Sequence, residues 1–355
     1  MSGITHIREA LRWTPDEPTD WASMAAAAIG MAVPLALAAA YGDITLGLAG
    51  ATGSLLMGNG TKGRTLGDLA RNELKILATL AIAAAIVAVI ADHGAWSYGG
   101  LVLVAGAAAV LGGYSRQLSV STGRFIVFFC VIFSAATGHG GNPWLFALIG
   151  ATALWTSALI AVFGAIARHF HPPTHLAPAV NAPKPTHAQL MARWRVSMRH
   201  LKGWQFPLRL VICLGLATII AAQFPNHRYF WIAVTVALVC QRPLEPWPLR
   251  TTQRTIGTLI GVGIAAVAII RPLPDWALVS LLGILCGLRL GVRTRNYLAF
   301  SALMTPVIML ILDAGHPVDT NLLVDRVSAT LIGAGLVVII NRVMAAIVET
   351  IENAG

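Results

Sequence analysis

The chain has 355 residues, of which 56% are hydrophobic and only 11% charged. Soluble domains carry about 25% charged residues, so this composition excludes an ordinary soluble enzyme, a disordered chain and a nucleic-acid binder. The net charge of +10 does not mark a nucleic-acid surface, because the basic residues are scattered between apolar runs in the pattern of a polytopic membrane protein.

The chain opens on Ile4, Ile7 and Leu11 at helical spacing beside Arg8 and Arg12, either a surface-lying amphipathic stretch or a frayed leader. Asp16, Glu17 and Asp20 then precede the first apolar run, against a cleaved signal peptide. A bilayer core about 30 Å thick needs roughly 20 apolar residues per helix. Six candidate segments follow at 22–41, 44–58, 72–91, 96–113, 120–138 and 143–167, and six more at 206–223, 228–241, 254–271, 276–292, 296–313 and 321–346. Those at 44–58 and 228–241 are short for a span and read as tilted, broken or re-entrant. Pro34 and Thr305-Pro306 interrupt two segments, giving either freed carbonyls along a pathway or plain kinks. Phe125, Phe128, Phe129 and Phe133 form a stripe that either stacks an aromatic ligand or packs on lipid and neighbouring helices.

The joint between the two blocks, 168–205, is proline-rich at first. It then places Leu190, Trp194, Met198 and Leu201 on one stripe, with Arg193, Arg195, Arg199 and Lys202 on other faces. Such a basic amphipathic helix favours the anionic lipids of an inner leaflet. His169, His171 and His175 lie in this joint, but no cysteine or carboxylate accompanies them, so no metal site is expected. Cys130, Cys213, Cys240 and Cys286 all sit in apolar runs without paired spacing, so no disulfide is expected either.

With the N-terminus inside, 22 of the 25 basic residues fall on the cytoplasmic side and only Arg228, Arg271 and Arg326 outside, which places both termini in the cytoplasm. A shift of 183 residues sets Trp21 on Trp204 and Arg71 on Arg254 and brings one block onto the other. The expected fold is therefore all-α with about 12 transmembrane helices in two six-helix parallel repeats. Its parts are a cytoplasmic segment 1–21, a first repeat 22–167, a cytoplasmic basic linker 168–205, a second repeat 206–346 and a tail 347–355.

Charges inside a bilayer default to function. Arg71, Arg124, Arg254 and Arg295 near the starts of odd-numbered segments form either an inner vestibule for anions or a set of snorkelling topology markers. Arg250 shares a helix face with Arg254 at the sharpest cluster, and Gly257 with Gly261 makes a surface for close helix approach. Asp325, one turn into the last segment beside Arg326, is the candidate proton-carrying carboxylate, against the alternative of a structural ion pair. Asp68 and Arg71 read as a pair at the inner helix mouth. No enzyme motif and no cofactor motif is present in the sequence.

Trp231 and Thr235 in FWIAVTVALV, a proline-bearing basic loop, then Gln253-Arg254, Gly257-Thr258 and Gly261 resemble the signature of the fusaric acid resistance (FUSC) or aromatic acid exporter family. The membrane part of plant aluminium-activated malate transporters is similar. The matching stretch of the first half, TLGDLARNELKILA, keeps Arg71 and loses the glycines and the threonine. The resemblance implies an inner-membrane secondary exporter of organic anions, typically aromatic carboxylic acids, often working with a periplasmic adaptor protein. Beside that implication, the residues themselves give the candidates: Arg254, Arg250, Arg71, Arg124, Arg295, Trp231 and Thr235 for substrate binding, Asp325 for proton coupling, and Gly257, Gly261 and Pro306 for packing or gating. The rival expectations are a passive organic-anion channel like the malate transporters and a membrane scaffold whose linker docks a partner or membrane lipids. Homo-oligomers fit all three.

Overall fold

The computed structural model describes residues 8–14, 20–57, 66–91, 93–138, 143–170, 185–245, 248–270, 273–312 and 320–354. Ile4, Ile7, Asp16, Glu17, Arg271, His171, His175 and the proline-rich start of the linker lie outside them. Among the described residues all regular structure is helical. The first half contains α1 Trp21–Ala40, α2 Ile44–Gly50, α3 Thr52–Leu56, α4 Leu66–Ile90, α5 Ala95–Leu111, α6 Arg116–Gly138 and α7 Pro143–Phe170. Helix α8 His187–Met198 follows the linker. The second half contains α9 Leu201–Gln223, α10 Phe230–Val239, α11 Leu249–Ile270, α12 Asp275–Arg293, α13 Tyr297–Leu312 and α14 Thr320–Ala354.

Among the described residues seven helices, α1, α4, α6, α7, α9, α12 and α14, are long and apolar enough to cross a bilayer. The stretches expected at 44–58, 96–113, 228–241 and 296–313 fold as apolar helices of no more than 17 residues, so twelve full spans are not reached by length. Helix α11 has 22 residues but opens on a polar turn, Arg250 to Arg254. Large apolar side chains stand exposed around the molecule, among them Leu74, Leu103 and Val267, with Trp96, Trp144 and Trp276 exposed at helix starts. This is the inverse of a water-soluble surface and matches an apolar belt with aromatic margins.

The halves interlock. Helix α1 packs on α12 and α7, α9 packs on α5 and α14, α4 packs on α6, and α11 packs on α13. The α1–α12 seam is built on small residues: a Cβ at Gly287 would lie 2.9 Å from the Met24 carbonyl, and one at Gly283 would lie 3.1 Å from Ala32 Cβ. Backbones come this close only where side chains are missing.

Two helices stop inside the protein, and each end is capped by an arginine. At the end of α3 the Leu55 and Met57 carbonyls accept from Arg289 Nη2 at 2.8 and 3.3 Å. Beyond α10 the Gln241 and Arg242 carbonyls accept from Arg209 Nη2 at 3.0 and 2.9 Å, while Asn341 Oδ1 holds Nη1 at 2.7 Å. An unsatisfied carbonyl in a membrane interior costs several kcal/mol, and a guanidinium offers donors enough to serve two or three at once. Arg209 and Arg289 are thus buried caps.

The proline breaks are closed in the same spirit. Proline at position 34 removes the donor for the Gly30 carbonyl, which accepts instead from Ser54 Oγ at 2.8 Å. Pro306 likewise frees the Ala302 carbonyl, which faces Gly261 of α11. Phe128, Phe129 and Phe133 are buried in the core, and Phe125 stacks on Phe129 with centroids 5.4 Å apart. The stripe therefore packs on neighbouring helices.

At the cytoplasmic mouth expected from the charge pattern, residues 8–14 lie as a strap. Gln253 Nε2 donates to the Ala10 carbonyl at 3.1 Å, Asn296 Nδ2 to the Arg12 carbonyl at 3.1 Å, and Thr14 N to the Arg295 carbonyl at 3.0 Å. Helix α8 starts with a Thr186–Gln189 capping box. It docks through Trp194, edge-on to Tyr114 at 6.4 Å, and leaves Arg193, Arg195 and Arg199 exposed.

Candidate anion site

Helices α11 and α13 meet along Gly257 and Gly261. A Cβ at Gly257 would lie 2.6 Å from both the Leu298 carbonyl and Ser301 Cβ, and one at Gly261 would lie 2.6 Å from Thr305 Cβ and 3.1 Å from Pro306 Cδ. Both glycines face α13, and Pro306 stands opposite Gly261.

Arg254 lies on the same helix, fully buried. Its Nη1 donates to Ser301 Oγ at 3.3 Å, and Tyr297 lies beside it. Among the described residues its Nε and Nη2 make no well-formed hydrogen bond, although the Tyr297 hydroxyl stands within interacting reach of the guanidinium, and the hydroxyls of Thr251 and Thr258 have no partner. Positions 251, 254 and 258 share one face of the helix. The result is a buried cation flanked by hydroxyls with donor capacity to spare, which is the complement of an oxyanion such as a carboxylate. Nearby, Arg250 stands over the Tyr297 ring at 4.9 Å. With the Gln241 amide oxygen turned toward Arg250, that oxygen accepts from Nε at 2.7 Å and from Nη1 at 2.6 Å. Arg293 feels the charges of Arg289, Arg124 and Arg250, so the arginines of α6, α11 and α12 form one electropositive region.

The other expected site residues fall elsewhere. Arg71 is exposed and pairs with Asp68 at 3.7 Å, the mouth pair that their spacing implied. Arg295 meets the strap through its carbonyl. Trp231 and Thr235 face α14: Arg326 lies 3.8 Å over the Trp231 ring, and a Cβ at Gly333 would meet Thr235 Cβ at 3.0 Å. Arg326, counted on the outer side, is fully buried. Asp325 accepts from the Arg228 amide at 2.9 Å and lies 2.7 Å from His227 Nδ1. Its side-chain contacts are thus the His227 ring and the Arg228 backbone. No group of three or more metal-ligating side chains occurs among the described residues.

The helices and the exposed apolar belt together define a polytopic helical membrane protein. Residues 216–340 match the family model described as fusaric acid resistance protein-like, a region that contains the Trp231–Gly261 stretch on which the resemblance rests. No curated protein and no solved structure matches the chain.

Proposed function

We propose that the protein is a secondary exporter of organic anions, aromatic carboxylates foremost, in a bacterial inner membrane with both termini cytoplasmic. The observation that carries this reading is Arg254, fully buried with no acidic partner among the described residues and with donor capacity left beyond its neighbours Ser301 and Tyr297, in a segment matched by the family model. A carboxylate takes a guanidinium bidentately, and Nε with Nη2 is a geometry that offers such a pair of donors. Because Arg254 is closed off from solvent, an anion reaches it only when α11 and α13 part or shift along their glycine seam. A parallel repeat supports such a motion: adding 183 carries α1 onto α9, α4 onto α11 and α7 onto α14, and the α1–α12 contact has its counterpart in α9–α5.

The driving force is the proton-motive force. Its electrical part alone moves a monoanion out of a negative interior with about 2.3 kcal/mol per 100 mV. Asp325 is the outer proton-handling group in this reading, with half-exposed His227 joining it to water.

The test is flux of labelled p-hydroxybenzoate in proteoliposomes with imposed pH and potential gradients. Gradient-dependent accumulation is expected, and Arg254→Gln is expected to raise KM roughly tenfold or more with insertion unchanged, as loss of a charge-assisted pair of about 1.5–3 kcal/mol requires. Purely dissipative flux with an anion current would establish a channel instead, and absence of flux for a panel of aromatic acids would overturn transport altogether.

A further inference from the structure

The buried stripe of α4 reads Leu69, Glu73, Ile76, Leu80, Ala83 and Val87. Glu73 is 4% exposed, in the middle of an apolar series. Its Oε2 accepts from Ser157 Oγ of α7 at 3.4 Å, and its Oε1 has no partner among the described residues. An acid with one oxygen idle in such surroundings is expensive to keep unless its charge is used.

The charge that faces it is Arg124 of α6. Arg124 in turn acts on Arg293, and Arg293 is coupled to Arg250 and Arg289. Helix α7 contributes only the neutral Ser157 near Glu73, with Arg168 and His169 about three turns further on. Helix α5 carries no charged residue, and the charged neighbours on α4 itself are Asp68, Arg71 and Lys75. A series of electrostatic neighbours thus runs from one buried carboxylate in the first half through Arg124 and Arg293 to Arg250, one helical turn from Arg254.

We propose that Glu73 is an internal counter-ion that competes with the transported anion for Arg124 and the arginine cluster. Ionised, Glu73 holds positive charge away from the cargo. Protonated, it releases that charge, so a proton on Glu73 and an anion at the cluster strengthen each other's binding, reciprocally and by the same factor. Helices α4 and α6 both begin at the cytoplasmic mouth in the export reading, on which this inference rests. Cargo loading therefore becomes tighter as the cytoplasm acidifies, which suits a protein that removes weak acids from a cell they have acidified.

The experiment is calorimetric binding of benzenesulfonate, an aryl anion that stays ionised, to the purified full chain at about pH 6 and about pH 8. Wild-type affinity is expected to fall roughly five- to tenfold as pH rises. Glu73→Gln is expected to bind with the low-pH affinity at both values. Arg124→Gln is expected to bind more weakly and without a pH slope, and it serves as the second variant should Glu73→Gln fold poorly. A wild-type slope retained in either variant overturns the proposal while leaving the export reading intact. Failure of the wild type to bind benzenesulfonate or benzoate at any pH overturns the export reading, and this inference with it.

Discussion

A proline inside a membrane helix leaves a carbonyl without a donor, and the replacement is specific: Ser54 Oγ serves the Gly30 carbonyl at 2.8 Å and itself accepts from Thr156 Oγ1 at 3.0 Å. Ser54→Ala removes both contacts in a buried place, so it is expected to cost about 1–3 kcal/mol, read as a lowered Tm in detergent with transport still measurable. At this scale the sequence was only partly legible. Arg254, Gly257 and Gly261 stood out because their spacing puts them together on one helix. Glu73, Arg209 and Arg289 did not, because a charge near a segment end is ordinarily a mouth or topology residue. The distinguishing signal was periodicity: Glu73 falls on the stripe of Leu69, Ile76 and Leu80, and Arg209 on that of Phe206, Cys213 and Ala217. Exposed Arg71 falls off its stripe. Asp325 was legible as a buried acid, but its partner His227 lies 98 residues away, beyond the reach of any local pattern.

Among elements, the contact of α11 with α13 concentrates the most consequence in the fewest atoms. Gly261→Val places methyl groups where Thr305 Cβ already stands 2.6 Å from an added Cβ. Overpacking of this kind costs about 1–3 kcal/mol. The variant is expected to insert normally, to lose Tm, and to transport slowly even at saturating substrate, because the seam would be wedged in one register. A low kcat with unaltered KM would bear this out, and wild-type turnover would count against the seam as a moving part. The short elements are where the apolar runs read from hydropathy and the helix lengths part. The stretch 44–58 is two helices meeting at Ala51, and α10 has only ten residues. Their ends are tolerable because Arg289 and Arg209 supply donors from helices distant in sequence, a tertiary fact that no single-segment hydropathy reading contains.

For the molecule as a whole, the seam between α1 and α12 is where the halves must yield if they rock against each other. Cys286 lies on α12 beside Gly287 and is buried, as are Cys130, Cys213 and Cys240. A water-soluble maleimide is therefore expected to label none of the four at rest and to label Cys286 during turnover with an aromatic acid, as read by mass spectrometry of the adducts. Labelling of Cys286 that is independent of substrate would argue against a closed resting state. One more feature bears on the same cycle. Gln253, whose amide grips the Ala10 carbonyl, is the immediate neighbour of Arg254, so any rotation of α11 that turns the arginine toward arriving cargo also unfastens the chain's beginning. On the export reading the segment 8–14 is in that sense a tell-tale, tethered at rest and slack with cargo bound, and a spectroscopic label placed on it would report occupancy without touching the site.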